Sequence, residues 1–201
     1  MLRYLLLFLC TNMRKFSERD VHVYYCAKSQ LINIVKIHII LQKGGASMYD
    51  VLDVAAYVVN EYWVNGSPIT NLKLQKILYY IQGYTLRRHG SPAFSEGIYK
   101  WPYGPVVPQV YFNYNYSRSK GIPELSDEHS RKLEKIFRRD SATTRIIDEV
   151  ITKSFSFSAV QLVQMTHAES PWKAANDSEL IPLGAIASYF GSNDPLNLER
   201  V

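Results

Sequence analysis

Residues 70–90 read TNLKLQKILYYIQGYTLRRHG and carry the strongest periodic signal in the chain. Leu74, Ile77, Leu78, Ile81 and Tyr84 recur at i, i+3, i+4 and i+7, the spacing of one face of an α-helix. Thr70 or Asn71 is the natural N-cap, because a short polar side chain can accept from first-turn N–H groups. Arg87 and Arg88 sit near the C-terminal end, where positive charge suits the helix dipole. Gly90 follows at a C-cap position. Lys73, Lys76, Arg87 and Arg88 lie off the apolar stripe and read as a solvated face. The spacing therefore predicts a helix from Thr70 or Asn71 to about His89.

Working outward, Asp50 and Asp53 mark an earlier helix start. Val51, Val54, Ala55, Val58, Val59 and Tyr62 give that helix an apolar face, and Asn65-Gly66-Ser67-Pro68 stops it. After Gly90 comes an aromatic-rich connector, Phe94 to Tyr103, with no helical period. Ile98 and Trp101 suggest a short extended piece within it. Gly104-Pro105 reads as a turn, and Pro108 fits the first turn of a helix that carries Val110, Tyr111 and Tyr114. Gly121-Ile122-Pro123 ends that segment. Glu128 to Arg139 is a charged helix with Leu133, Ile136 and Phe137 inward, and Thr144 to Thr152 extends the pattern. Ser158 caps a helix from Ala159 to Thr166 that buries Val160, Leu162 and Val163. A turn from His167 to Trp172 follows, closed by Lys173-Ala174-Ala175. Ile181-Pro182 precedes a last helix, Leu183 to Phe190. No internal repeat or low-complexity tract appears. The fold class expected is mainly α: a single irregular bundle of about six helices with a short extended connector.

Charge separates the chain into two parts. Before Met48 there are seven basic residues and two acidic ones. Taking these from the totals of 23 and 18 leaves 16 of each sign, so the whole net charge of +5 belongs to residues 1–47. The basic balance that would otherwise suggest a nucleic-acid or anionic-membrane partner vanishes for residues 48–201. Cys10 and Cys26 also precede Met48, so the remainder has no thiol for a disulfide, a metal site or a nucleophile. A domain of that kind fits the cytoplasm.

Residues 1–47 read poorly as structure. Tyr4 to Cys10 is too short to span a bilayer, which takes roughly 20 apolar residues. Thr11 to Lys15 offers no small-residue cleavage site for a secretory signal. The apolar run from Leu31 to Leu41 is interrupted by Asn33, Lys36 and His38. Lys43-Gly44-Gly45 can be encoded as a bacterial ribosome-binding site, with Ala46 and Ser47 as spacer. Met48 is accordingly expected to be the translational start, with residues 1–47 an upstream leader and 48–201 the folded domain.

Three segments together resemble the Panacea (SocA-like antitoxin) domain. They are Leu72 to Tyr80 followed by Gln82-Gly83; Trp101 to Pro108 followed by Val110-Tyr111; and Thr166 to Trp172. They occur in the family's order and span most of Met48 to Phe190. The resemblance implies an antitoxin of a bacterial or phage toxin–antitoxin system, which neutralises a cognate toxin from an adjacent gene by direct binding. No enzyme activity, cofactor or metal is expected. It also implies an alternative role as a proteolytic adaptor delivering a toxin to a Clp protease.

Candidate partner-binding residues gather in the second and third segments: Tyr99, Trp101, Tyr103, Gly104, Pro105, Val106, Val107, His167, Pro171 and Trp172. Tyr and Trp offer large contact area with few rotors to freeze, and so dominate interface hot spots. Twelve of the fifteen tyrosines lie after Met48. Tyr79, Tyr84 and Tyr111 read as core, while Tyr99, Tyr103, Tyr114 and Tyr116 lie in or near loops. The Gly104–Pro108 loop reads as a rigid corner whose valines pack inward. His167 has no Cys and no nearby His to complete a metal site. Its imidazole is expected to bond a backbone carbonyl and so fix the turn that seats Trp172. A hydrolase using His167 and Glu169 is a further alternative. The segment Ser158–Ala175 imitates a helix-turn-helix, but only Lys173 is positive near its recognition element, and no nucleic acid is expected.

Overall fold

The computed structural model describes residues 48–137 and 142–199. The expectations for residues 1–47, both cysteines included, lie outside the described residues, as does the end of the charged helix after Phe137. Eight α-helices and one two-stranded sheet are found among the described residues. The first helix, α1, spans Val51–Val64, and Asp50 caps it by accepting from the Leu52 N–H at 2.7 Å. It ends at Gly66, whose φ of +66° suits a residue without a Cβ.

Helix α2, Asn71–His89, is the axis of the domain. Thr70 caps it by accepting from the Lys73 N–H, and Gly90 closes it in the left-handed conformation at φ +67°. Fourteen of its nineteen residues are buried. The amphipathic stripe expected from the sequence is therefore exceeded: α2 is enclosed nearly all round, and Gln75, Lys76 and Gln82 point inward with the apolar side chains.

The connector forms a hairpin of β1, Tyr99–Trp101, and β2, Gly104–Val106, paired antiparallel with Trp101 opposite Gly104. The turn is thus Pro102-Tyr103, not Gly104-Pro105, which open the second strand. Proline fits the second position of such a turn and glycine the fourth, and Gly104 takes φ +100°. Residues 178–181 run beside β1, with Lys100 N–H donating to Glu179 O and Ile181 N–H to Ile98 O.

Helix α3 is Pro108–Tyr114, continued by a 3₁₀ turn at Asn115–Ser117. The charged helix α4, Asp127–Phe137, and helix α5, Ala142–Ser154, are separate elements. Ser158 and Gln161 form a reciprocal capping box at the start of α6, Ala159–Ala168. Val160 there is 62 % exposed, contrary to expectation. The buried line of α6 is Leu162 and Thr166, so Val160 falls on the outer face. The His167–Trp172 turn includes a five-residue helix, α7, Ser170–Ala174, opened by Pro171. Helix α8, Leu183–Ser192, lays Phe190 against α2.

Phe190 meets Tyr79, Tyr80 and Tyr84 edge-on, with ring centroids 5.2–6.1 Å apart. A Cβ added at Gly83 would lie 2.3 Å from the Phe190 ring. Gly83→Ala should therefore lower stability by about 1–3 kcal/mol through overpacking, despite the better helix propensity of alanine. Gly184→Ala, where a Cβ meets nothing within 4 Å, should be neutral or better. Thermal melts of the two variants check this; equal melting temperatures would contradict it.

Candidate partner-binding site

The three sequence segments meet through buried polar groups of α2. Gln75 Oε1 accepts from the Val107 N–H at 2.9 Å, and its Nε2 donates to Asn71 Oδ1 at 2.9 Å. Asn71 Nδ2 in turn donates to Tyr111 O at 3.0 Å. Lys76 is fully buried, and its Nζ donates to Pro105 O at 2.8 Å. These bonds satisfy backbone groups of the hairpin strand, of α3 and of the residue between them. Gly104 is needed for the approach: a Cβ there would lie 2.8 Å from Lys76 Cε and 2.9 Å from Thr166 Oγ1.

One turn further along, Tyr79 and Tyr80 both donate to Glu169, to Oε2 at 2.7 Å and Oε1 at 2.9 Å. Glu169 is buried at the joint of α6 and α7. Trp172 in α7 closes the circuit by donating its Nε1–H to Trp101 O at 3.2 Å. The hairpin and the α6–α7 corner are thus fastened to one helix and to each other.

Electrostatics follow from burial. Desolvation pushes the Glu169 carboxyl up to about 7, with the two tyrosine hydroxyls pulling the other way. Desolvation pushes the Lys76 amine down to about 7. The hydroxyls of Tyr79 and Tyr80 are raised far above the ordinary phenol range, first by burial and then by the neighbouring Glu169 carboxylate. His167 is lowered by partial burial, then by Lys76 and Lys100.

The expected solvated face of α2 fails at Lys76, whose amine is sealed beneath the hairpin. His167 seats Trp172 as expected, but by stacking, with ring centroids 4.0 Å apart and planes at 16°. Its Nε2 is buried with no hydrogen-bond partner among the described residues, so the expected bond to a carbonyl from that nitrogen is not made. Glu169 gives a hydrolase no free carboxylate, since each of its oxygens accepts from a tyrosine.

Of the ten candidate contact residues, Gly104, Pro105, Val106, Val107 and Pro171 are buried. They frame a surface and do not line it. Tyr99, Trp101, His167 and Trp172 are half-buried, and Tyr103 at the hairpin tip is 71 % exposed. Two neighbours on α3 join them. Tyr111 lies edge-on to Trp101 at 4.9 Å, and Phe112, 61 % exposed, lies 5.4 Å from Tyr111 and 6.2 Å from Trp101. Tyr114 turns inward, whereas Tyr116 stays exposed. Lys100 Nζ sits 4.7 Å from the Trp172 ring and 3.2 Å from Asp177. Sequence reading missed Phe112, which lies two residues from Val110 and four from Pro108, off the buried side of α3. A helical wheel over residues 108–114 would have found it.

Residues 74–173 match the family model of the antitoxin SocA-like Panacea domain. The match begins three residues into α2 and ends in α7, so it holds nearly the whole of this circuit. The matched stretch, just under half of the chain, is similar to the SocA-like Panacea family. The antitoxin SocA of Caulobacter vibrioides (strain NA1000 / CB15N) is 34 % identical over 110 residues, which cover 52 % of this chain and 58 % of that protein. The aligned part is therefore a little over half of the relative's length. No solved structure matches the chain.

A group whose acid form is favoured by folding stabilises most at low pH. The Glu169 contribution is present below about 4.5 and lost as pH rises through about 7. Lys76 acts in the opposite sense, its contribution present above 10.5 and lost as pH falls through about 7. Between pH 5 and 7.5, this domain should lose up to about 3 kcal/mol relative to its Glu169→Gln variant. Urea denaturation of both proteins across that range is the check, and a pH-independent difference would contradict it.

Proposed function

We propose that the protein is an antitoxin that neutralises a cognate toxin, encoded beside it, by direct binding in the cytoplasm. The observation that carries this reading is the band of rings at the hairpin tip and α3. Trp101, Tyr111 and Phe112 pack edge-on to one another, the first two half-buried and Phe112 exposed, with Tyr103 exposed at the hairpin tip. Clustered, partly exposed aromatic rings on a rigid support are what interface hot spots require. The likeness to antitoxin SocA supports the same conclusion. No helix among the described residues is long and apolar enough to cross a membrane, and no described group of acidic, His or Cys side chains has metal-site geometry.

The contact surface under this reading is Tyr99, Trp101, Tyr103, His167 and Trp172, joined by Tyr111 and Phe112. The buried Gly104, Pro105, Val106, Val107 and Pro171 hold it in place. Expression of the neighbouring gene alone should stop growth, and co-expression of this protein should restore it. The Tyr103→Ala/Phe112→Ala double variant should fail to restore growth while changing stability by no more than about 1 kcal/mol. A harmless neighbour, or one that stays lethal beside the wild-type protein, would overturn the reading.

A further inference from the structure

From Gly97 to Pro123 the chain contains no Asp or Glu, yet it contains Lys100, Arg118 and Lys120. Helix α6, on the other side of the hairpin, carries no charged residue except the titratable His167 at its end. Over residues 48–201 the charges balance, so this is a local segregation that the total conceals. Arg118 and Lys120 are exposed and have no carboxylate partner among the described residues. They are held by a tight turn just beyond α3, where the Arg118 N–H donates to Asn115 O and the Lys120 N–H to Ser117 O. That turn lies about 10 Å from Phe112 along the helical rise, close to one Debye length at about 0.1 M salt. At the opposite end of the ring band, the Lys100 side chain is only 14 % exposed, donates to Ala175 O at 2.9 Å and meets Asp177 at 3.2 Å, with the exposed Glu179 beside the same strand.

We propose, resting on the reading above, that this ring-bearing face takes an acidic, apolar segment of the partner protein. Its apolar side chains would cover Trp101, Tyr111 and Phe112, and its carboxylates would meet Arg118 and Lys120, at the end of the face away from Asp177 and Glu179. Charge complementarity commits the surface to that occupant. A basic segment would be repelled by Arg118 and Lys120, which have no carboxylate partner among the described residues. The same cations steer an acidic partner toward the rings and fix its direction across them.

The test uses the full chain and three labelled 20-residue amphipathic peptides with one Leu/Phe face, differing only in Glu, Gln or Lys on the other. A 20-nucleotide oligo-dT is the fourth probe, and fluorescence anisotropy the readout. The Glu peptide should bind tightest, about tenfold better than the Gln peptide, with affinity falling as salt rises. Arg118→Glu/Lys120→Glu should weaken it about three- to tenfold, and Phe112→Ala about tenfold or more. The charge-matched Arg131→Glu/Lys135→Glu variant on α4 should change it less than twofold. Because every variant carries the same residues 1–47, their cations cancel from the comparison.

Equal or tighter binding of the Gln or Lys peptide would overturn the proposal, as would no binding of the Glu peptide. Tightest binding of oligo-dT would assign the face to single-stranded nucleic acid instead. In the growth assay, rescue that survives both Phe112→Ala and Arg118→Glu/Lys120→Glu would overturn this inference and leave neutralisation standing. A harmless neighbouring gene would overturn neutralisation, and the peptide series would still decide the chemistry of the face.

Discussion

A helix enclosed on nearly every side is weakened by each buried polar group left unpaired, at a cost on the order of 1–3 kcal/mol. On helix α2, Asn71, Gln75, Lys76 and Gln82 are all engaged, whereas the smaller Thr85 hydroxyl has no partner among the described residues. Their partners are backbone groups of the hairpin strand, of the short helix α3 and of the loops between elements: Pro105, Tyr111, Val107 and Phe94. The tyrosines of the same helix meet the constraint in the other direction, supplying donors to a carboxylate that the α6–α7 joint would otherwise bury bare. Packing and hydrogen bonding are therefore one requirement here. A change that frees the hairpin from α2 also leaves α2 with orphaned groups.

That coupling explains how a domain with a two-stranded sheet can present a defined surface. Two strands alone are marginal in water. Here the hairpin is fastened from below by Gln75 and Lys76, from the side by the Trp172 indole, and along its edge by residues 178–181. Trp101 and Tyr103 are thereby held at the tip without being drawn into the core. Rings already immobilised lose little freedom on association, which is the condition for tight binding through a small apolar area.

The helices were largely legible in the sequence, because period and caps act locally. Thr70, Gly90 and Ser158 do what their side chains or lack of one predict, and α2 spans the residues its stripe demands. The hairpin turn was misplaced by two residues because Gly-Pro imitates a turn wherever it stands, and pairing with Tyr99 and Lys100 decides the register. Lys76 was misread for a related reason. A lysine off an apolar stripe is solvated unless something covers that side of the helix, and the cover comes from residues about thirty positions later. Glu169 and the pair Tyr79-Tyr80 were quoted within separate segments, but their bond spans some ninety residues and leaves no periodic trace. Phe112 shows the converse, a ring whose exposure helical spacing alone implied.

The account rests most heavily on the hold of α2 over the Gly104–Val107 segment, and one amide reports it. The Val107 N–H lies outside the ladder and, among the described residues, is bonded only by the Gln75 side chain. Hydrogen exchange followed by NMR should find this amide protected almost as well as the α2 backbone, and the protection should collapse in Gln75→Leu while that of α2 residues 77–84 largely persists. Rapid exchange of Val107 in the wild-type protein, or unchanged protection in the variant, would contradict the account.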